Sequence, residues 1–202
     1  METASIDYRV RACSLGQLLV AGTSRGVCYV RFGAQDDELR GRLEDEFPYA
    51  RFCEVADGDV KRWSDLVAAY VDGATTRVDV PLDVRGSAFQ RRVWRALGDI
   101  PRGETRSYSE VALALGNPRA ARAVARACAT NPVVVVTPCH RVVARAGGLG
   151  GYSGGVARKR ALLRTEGVVE FREPGGADCA SAEATPARET RVARANVPNA
   201  AG

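Results

Sequence analysis

The sequence holds one histidine, His140, in 202 residues, so any step that needs imidazole must use that residue or borrow one from a partner. Six cysteines, Cys13, Cys28, Cys53, Cys128, Cys139 and Cys179, lack the paired short spacings of a zinc site or a small secreted disulfide framework, and reduced thiols are expected. No apolar run approaches the length that spans a bilayer and no secretory signal opens the chain, which makes the cytosol the expected address. Internal repeats are missing too. Nearly all of the 29 basic residues are arginine, a bias that GC-rich coding explains without invoking design.

What is present is an ordinary globular composition, 46% apolar and 26% charged, with length enough for one large domain or two small ones packed together. The formal net charge of +5 hides an asymmetry. Residues 80–168 carry 15 Arg and Lys against 5 Asp and Glu, whereas residues 1–79 are net acidic by four. That split points to a polyanionic partner for the second half, the alternative being a solvated basic surface.

Tyr8 to Ala12, Gln17 to Ala21 and Gly26 to Phe32 read as a small antiparallel sheet. Helical spacing of Leu39, Leu43 and Phe47 predicts a helix over 36–47, and that of Trp63, Val67 and Tyr70 predicts another over 60–71. Residues 75–80 read as one more strand, completing an α+β unit over 1–80 with no evident chemistry. A second unit, 83–169, opens with a helix carrying Phe89, Val93, Trp94 and Leu97, capped by Ser87. Ser107 caps a short helix with Val111, Ala112 and Leu115, Gly116-Asn117-Pro118 stops it, and a third helix is expected from Arg119 to Thr130. The pair forms a helix-turn-helix candidate. Val133 to Val136 reads as a buried strand, and a glycine-dense loop over 147–155 leads to a last helix from Ala157 to Glu166. Residues 170–202 lack periodicity and are expected to be a disordered tail.

Cys139 stands beside the only histidine. A thiol becomes a strong nucleophile when a nearby base favours its thiolate, and imidazole is such a base. Neighbours in an extended chain point opposite ways, so a relay between them needs a bridging water or a local turn, and Pro138 favours a stiff turn there. Glu166 is the best carboxylate to fix the His140 tautomer. A Cys-His dipeptide can equally be a buried thiol beside a satisfied histidine.

Asn131-Pro132 followed by Pro138-Cys139-His140-Arg141-Val142 resembles the active-site signature of the O6-alkylguanine-DNA alkyltransferase family. Ser107-Tyr108, Gly116-Asn117-Pro118, Arg122-Ala123-Val124, Gly151-Tyr152-Ser153-Gly154-Gly155, Lys159 and Leu162 through Gly167 keep the family's order and spacing. The likeness covers 83–168 and, more loosely, 8–80, where the carboxy-terminal half of the bacterial adaptive-response alkyltransferase is the most similar member. It implies a ribonuclease H-like first domain packed on a winged-helix-like second one, whose helix-turn-helix enters the minor groove of double-stranded alkylated DNA. Arg122 then fills the gap left by a flipped base, and Tyr108 crowds the target phosphate and helps turn the nucleotide. Ser107, Ala121 and Ala123 meet the DNA, while Tyr152, Ser153 and the carbonyls of Cys139 and Val142 hold the guanine. Asn131 braces the turn that carries Cys139 and His140.

The implied reaction carries the alkyl group irreversibly to Cys139 in a single turnover, by a monomer that needs no cofactor, with O4-alkylthymine as a further substrate. Zinc, which some members hold in the first domain through cysteines and histidines, is not expected, because His140 is the sole histidine and belongs to the active site. Ala129 departs from relatives that place a DNA-contacting arginine there. Three rival readings are a helix-turn-helix transcription regulator, a non-catalytic alkylguanine-recognition protein and a cysteine hydrolase. The regulator leaves the Cys139 turn without purpose, and the hydrolase leaves the basic helix without one.

Overall fold

A computed structural model describes residues 4–144 and 148–168; the expected tail, 170–202, lies outside them. Three strands, β1 (Ser5–Cys13), β2 (Gly16–Thr23) and β3 (Gly26–Gly33), pair antiparallel as their turns predict. A fourth strand, β4 (Arg51–Glu54), joins parallel to β1, giving the order β3-β2-β1-β4. Period-two alternation sorts the sheet's two faces. Leu19, Ala21 and Tyr29 cluster with Leu39 and Leu43 of α1 (Asp36–Glu46). Leu18, Val20, Val30 and Phe32 meet Trp63 and Val67 of α2 (Asp59–Val71) and the second half of the chain. One apolar cluster therefore runs from the sheet into Trp94, Leu97, Val124 and Leu162.

The second half contains α3 (Ala88–Gly98), the two-residue strand β5 (Arg106–Ser107), α4 (Tyr108–Ala114), α5 (Ala121–Ala129), β6 (Val142–Val143) and α6 (Val156–Thr165). Ser87 and Ser107 each close a full capping box, with Gln90 and Glu110 answering at the third helical position, so two orphan amides are satisfied at each helix start. Gly116, at φ 75°, ends α4, and a 3-10 turn over Pro118–Ala120 precedes α5. The third helix thus begins two residues later than its periodicity suggests.

Two expected strands do not form. Residues 75–80 find no partner strand; Val78 and Val80 pack on the core, and pairing moves to Leu82, which bridges Val27 at the start of β3. The four valines at 133–136 also form no strand. Val133 bridges Val30, and the chain then doubles back, with Val136 N donating to Val134 O at 2.9 Å and Thr137 N to Val133 O at 2.9 Å. The turn places Val135 at φ 73°, a left-handed conformation that is strained for a β-branched side chain. Both segments meet the exposed edge of β3 through proline carbonyls: Val27 N donates to Pro81 O and Val30 N to Pro132 O, each at 2.8 Å. Asp83 N returns a bond to Val27 O at 2.9 Å, and proline, which has no N–H, extends the pairing no further at either place, so the edge is met by isolated bridges.

Candidate active site

The doubled-back segment delivers Cys139 to a 3-10 turn, Cys139–Arg141, and not to extended chain. Asn131 spans the loop from inside. Its Nδ2 donates to Thr137 O at 2.9 Å and to the Cys139 sulfur at 3.1 Å, and its Oδ1 accepts Val133 N at 3.1 Å. All three bonds are buried, and Asn131 has no exposed surface. Burial pushes the Cys139 thiol up, while the Asn131 bond and the positive charges of Lys159 and Arg31 oppose that push.

His140 is fully buried, with Nε2 2.7 Å from Glu166 Oε1. Burial lowers its pKa below the ordinary value, although Glu166 pulls the other way. A neutral ring that donates Nε2–H to the carboxylate leaves a lone pair on Nδ1, and Nδ1 is a buried atom with no protein partner among the described residues. The ring is thus set up as a base on its free side.

Glu166 caps the end of α6 and collects four donors. Oε1 accepts His140, the Tyr70 hydroxyl at 2.5 Å and Arg141 Nη2 at 3.2 Å, and Oε2 accepts Arg141 Nε at 2.9 Å. Burial alone raises a carboxyl pKa, but bonds from His140, Arg141 and Tyr70 outweigh it and hold Glu166 at about 2. Arg141 also donates to Ile100 O at 2.5 Å and to the Tyr70 hydroxyl at 2.8 Å.

Tyr70 comes from α2, in the half whose sequence shows no chemistry, and there its spacing reports only an apolar helix face. Tyr70→Phe keeps that packing but leaves Glu166 and Arg141 one bond short each. It is expected to cost about 1–3 kcal/mol and to slow Cys139 chemistry several-fold; urea unfolding reads the first effect. An unchanged midpoint would mean that water replaces the hydroxyl at no cost.

Cys139 forms one wall of a pocket of about 490 Å³ with Tyr108 of α4, with Ala125, Cys128 and Ala129 of α5, and with Gly151, Tyr152 and Ser153 of the glycine loop. Burial raises the Tyr108 hydroxyl to about 12, so it remains a proton donor at neutral pH. The Tyr152 ring stands edge-on to His140, centroids 6.4 Å apart. Gly154 is required beside it, since a Cβ there comes within 2.7 Å of the Tyr152 ring. Lys159 is wholly buried and ties the loop down, donating to Val142 O at 2.6 Å and Gly151 O at 3.3 Å. Burial lowers its pKa to about 8. The Val142 carbonyl already accepts Lys159, and the Cys139 carbonyl already accepts Val142 N, so a ligand amine must share each of them.

On the outer face of α5, Arg122 and Ala123 are exposed and Ala121 is half-buried. Ser107 is buried, with its hydroxyl oxygen engaged in the α4 cap. Residue chemistry in the sequence gives no role to Arg31, Arg141, Lys159 or Arg158, because the partners of each lie far off in the chain or are main-chain carbonyls. Among the described residues, no group of three or more histidine, cysteine or acidic side chains is placed to hold a metal ion, and no helix is long and apolar enough to cross a membrane.

Residues 88–168 match the family described as 6-O-methylguanine DNA methyltransferase, DNA binding domain. The chain is 44% identical over 171 residues to the bifunctional transcriptional activator/DNA repair enzyme Ada of Escherichia coli, covering 85% of this chain but only 48%, about half, of that relative. It is 55% identical over 162 residues to a methylated-DNA–protein-cysteine methyltransferase of Mycobacterium tuberculosis, covering 80% of this chain and 92% of the relative. Its structure is similar to that of Mycobacterium tuberculosis OGT in complex with DNA, with a TM-score of 0.68 and 41% identity over 79% of this chain and 92% of that one. On this identity, spread along nearly the whole length of such relatives, the chain belongs to the methylated-DNA–protein-cysteine methyltransferase family.

Proposed function

We propose that this protein repairs double-stranded DNA by direct reversal, taking the alkyl group from O6 of guanine onto Cys139. The observation that carries the reading is a buried thiol, held by Asn131 at the wall of a pocket of about 490 Å³, next to a histidine whose one nitrogen is engaged by Glu166 and whose other has no protein partner among the described residues. The Cys139 proton passes to His140 Nδ1 through a water molecule, and the imidazolium that forms is stabilised by Glu166. The thiolate attacks the alkyl carbon, the carbon–O6 bond breaks, and its electron pair leaves on guanine. Tyr108 passes a proton to the leaving purine and recovers one, through solvent, from the His140 imidazolium, so that no charge is left behind. The thioether is stable to water and thiols, so each molecule acts once and without a cofactor.

A stacked base cannot reach a buried sulfur, so the nucleotide must swing out of the duplex. Arg122 takes its place in the stack. Ala121 and Ala123 let α5 approach the minor groove closely, with Ser107 beside the backbone. Tyr152, Ser153 and the Val142 carbonyl hold the guanine, and Asn131 keeps the turn in place. In this reading residues 1–80 form a ribonuclease H-like domain and residues 83–169 a winged-helix-like one. The protein works as a monomer on cytoplasmic, nucleoid DNA and also accepts O4-alkylthymine. The solved structure of Mycobacterium tuberculosis OGT in complex with DNA supports the choice of partner.

Intact-mass measurement after incubation with a duplex holding one O6-methylguanine tests this. The expected result is a gain of a single methylene per protein, located on the Cys139 peptide. DNA binding with no gain would make the protein a recognition module, and a gain on any other cysteine would refute the mechanism.

A further inference from the structure

We propose that Arg31, on the sheet of the first half, is a positioning residue for alkyl transfer: its guanidinium holds the main-chain carbonyl of Asn131 and so keeps the Asn131 side chain on the Cys139 thiol. The inference rests on the function proposed above.

β3 runs beside the elbow that ends α5, and Val30 N binds Pro132 O at 2.8 Å. From the next residue, Arg31 Nη1 donates to Asn131 O at 2.6 Å and shares the same nitrogen with Val30 O at 3.1 Å. The guanidinium lies 5.0 Å over the Tyr29 ring, and the side chain is half-buried. These contacts fix its position, and a charge-assisted bond to a carbonyl is among the stronger neutral-site anchors available. The anchored carbonyl belongs to the residue whose amide reaches the sulfur at 3.1 Å. A strand residue 100 positions away thus sets the direction of that amide.

The charged and titratable groups around the Cys139 thiol come from several elements. Lys159 of α6 and Arg31 of β3 are positive and favour the thiolate. Cys128 of α5, Tyr108 of α4 and Tyr152 of the glycine loop are weak acids whose own ionisation Cys139 opposes. His140 follows Cys139 in the 3-10 turn, backed by Glu166. Removing Arg31 therefore removes both an anchor and a positive field.

Arg31→Met and Arg31→Lys separate the two. Single-turnover methyl transfer is measured with protein in excess over its DNA dissociation constant, so binding does not limit the rate. In parallel, carboxamidomethylation of Cys139 by iodoacetamide is followed by mass across the alkaline range. The expected result is that Arg31→Met slows transfer by about tenfold with DNA affinity unchanged, and moves the alkylation inflection of Cys139 to higher pH. Arg31→Lys, which keeps the charge, restores most of the inflection. A folded Arg31→Met protein with wild-type rate and inflection would overturn the proposal, as would a lowered melting temperature with an unmoved inflection in both variants. If the wild type itself takes no methyl group, the function proposed above fails, yet the iodoacetamide profile still reads the clamp.

Discussion

Glu166→Gln is expected to slow methyl transfer by at least about a hundredfold and to remove roughly 3–5 kcal/mol of stability at neutral pH. The carboxylate accepts four donors with two oxygens. A glutamine amide offers one acceptor oxygen, and its nitrogen must face an N–H or O–H that also wants an acceptor. Arg141, which is 8% exposed, is then left as a buried cation without a counter-charge, the costly case for broken buried pairs. The loss of rate has a separate origin: a neutral amide does not stabilise the imidazolium, and it fixes the proton of His140 on Nε2 only when its one oxygen faces the ring.

Acid unfolding distinguishes the stability effect. Glu166 sits at about 2 in the fold against 4.5 for the ordinary side chain, so its contribution is complete above pH 4.5 and is lost as pH falls toward 2. That contribution is about 3 kcal/mol. His140 bends the same limb earlier, because burial keeps its pKa below 6.5 and the unfolded chain takes up that proton first. Urea unfolding of wild type and Glu166→Gln at pH 7, 5 and 3 should therefore converge as pH drops. Curves that stay parallel to the lowest pH would show that the carboxylate is not the ionised hub of this network.

The parts legible in the sequence are those whose causes are local. Ser87 with Gln90, and Ser107 with Glu110, announce their helices because a capping box is complete within four residues. Alternation gave β1 to β3, since both faces of β2 are covered and its register has no freedom to slip. The strand β4 escaped because Arg51-Phe52-Cys53-Glu54 buries only part of one side chain; tertiary pairing with β1 makes it a strand. The valines at 133–136 misled for the opposite reason. Their propensity is that of a strand, but Asn131 bonds across the loop and forces the reversal at Val135. Cys139, His140 and Glu166 stood out through residue chemistry and resemblance. Tyr70 and Arg31 did not, and Lys159 entered through the resemblance alone with no role attached, because a hydroxyl on an apolar helix face and two cations that seek distant carbonyls carry no local signal.

Asn131→Ala carries the second large effect, and it divides into two parts that respond differently to pH. The alanine leaves Val133 N–H buried without its partner, at about 1–3 kcal/mol, while Thr137 C=O loses the Asn131 amide but keeps Cys139 N at 2.8 Å. Release of the left-handed Val135 offsets a fraction of that, so a net loss of about 1–3 kcal/mol is expected in thermal or urea unfolding. The second part concerns the sulfur. The Asn131 bond is the first influence opposing the upward push of burial on Cys139, so its removal raises the thiol further and shrinks the thiolate fraction at neutral pH. Transfer should fall about a hundredfold at pH 7 and recover partly as pH rises, whereas a deficit from misplaced loop atoms alone stays constant. A variant that loses stability but transfers methyl at the wild-type rate would show that Asn131 only braces the loop. A constant deficit at all pH values would assign the whole effect to geometry, and the thiolate would then owe its existence to His140 and the surrounding cations.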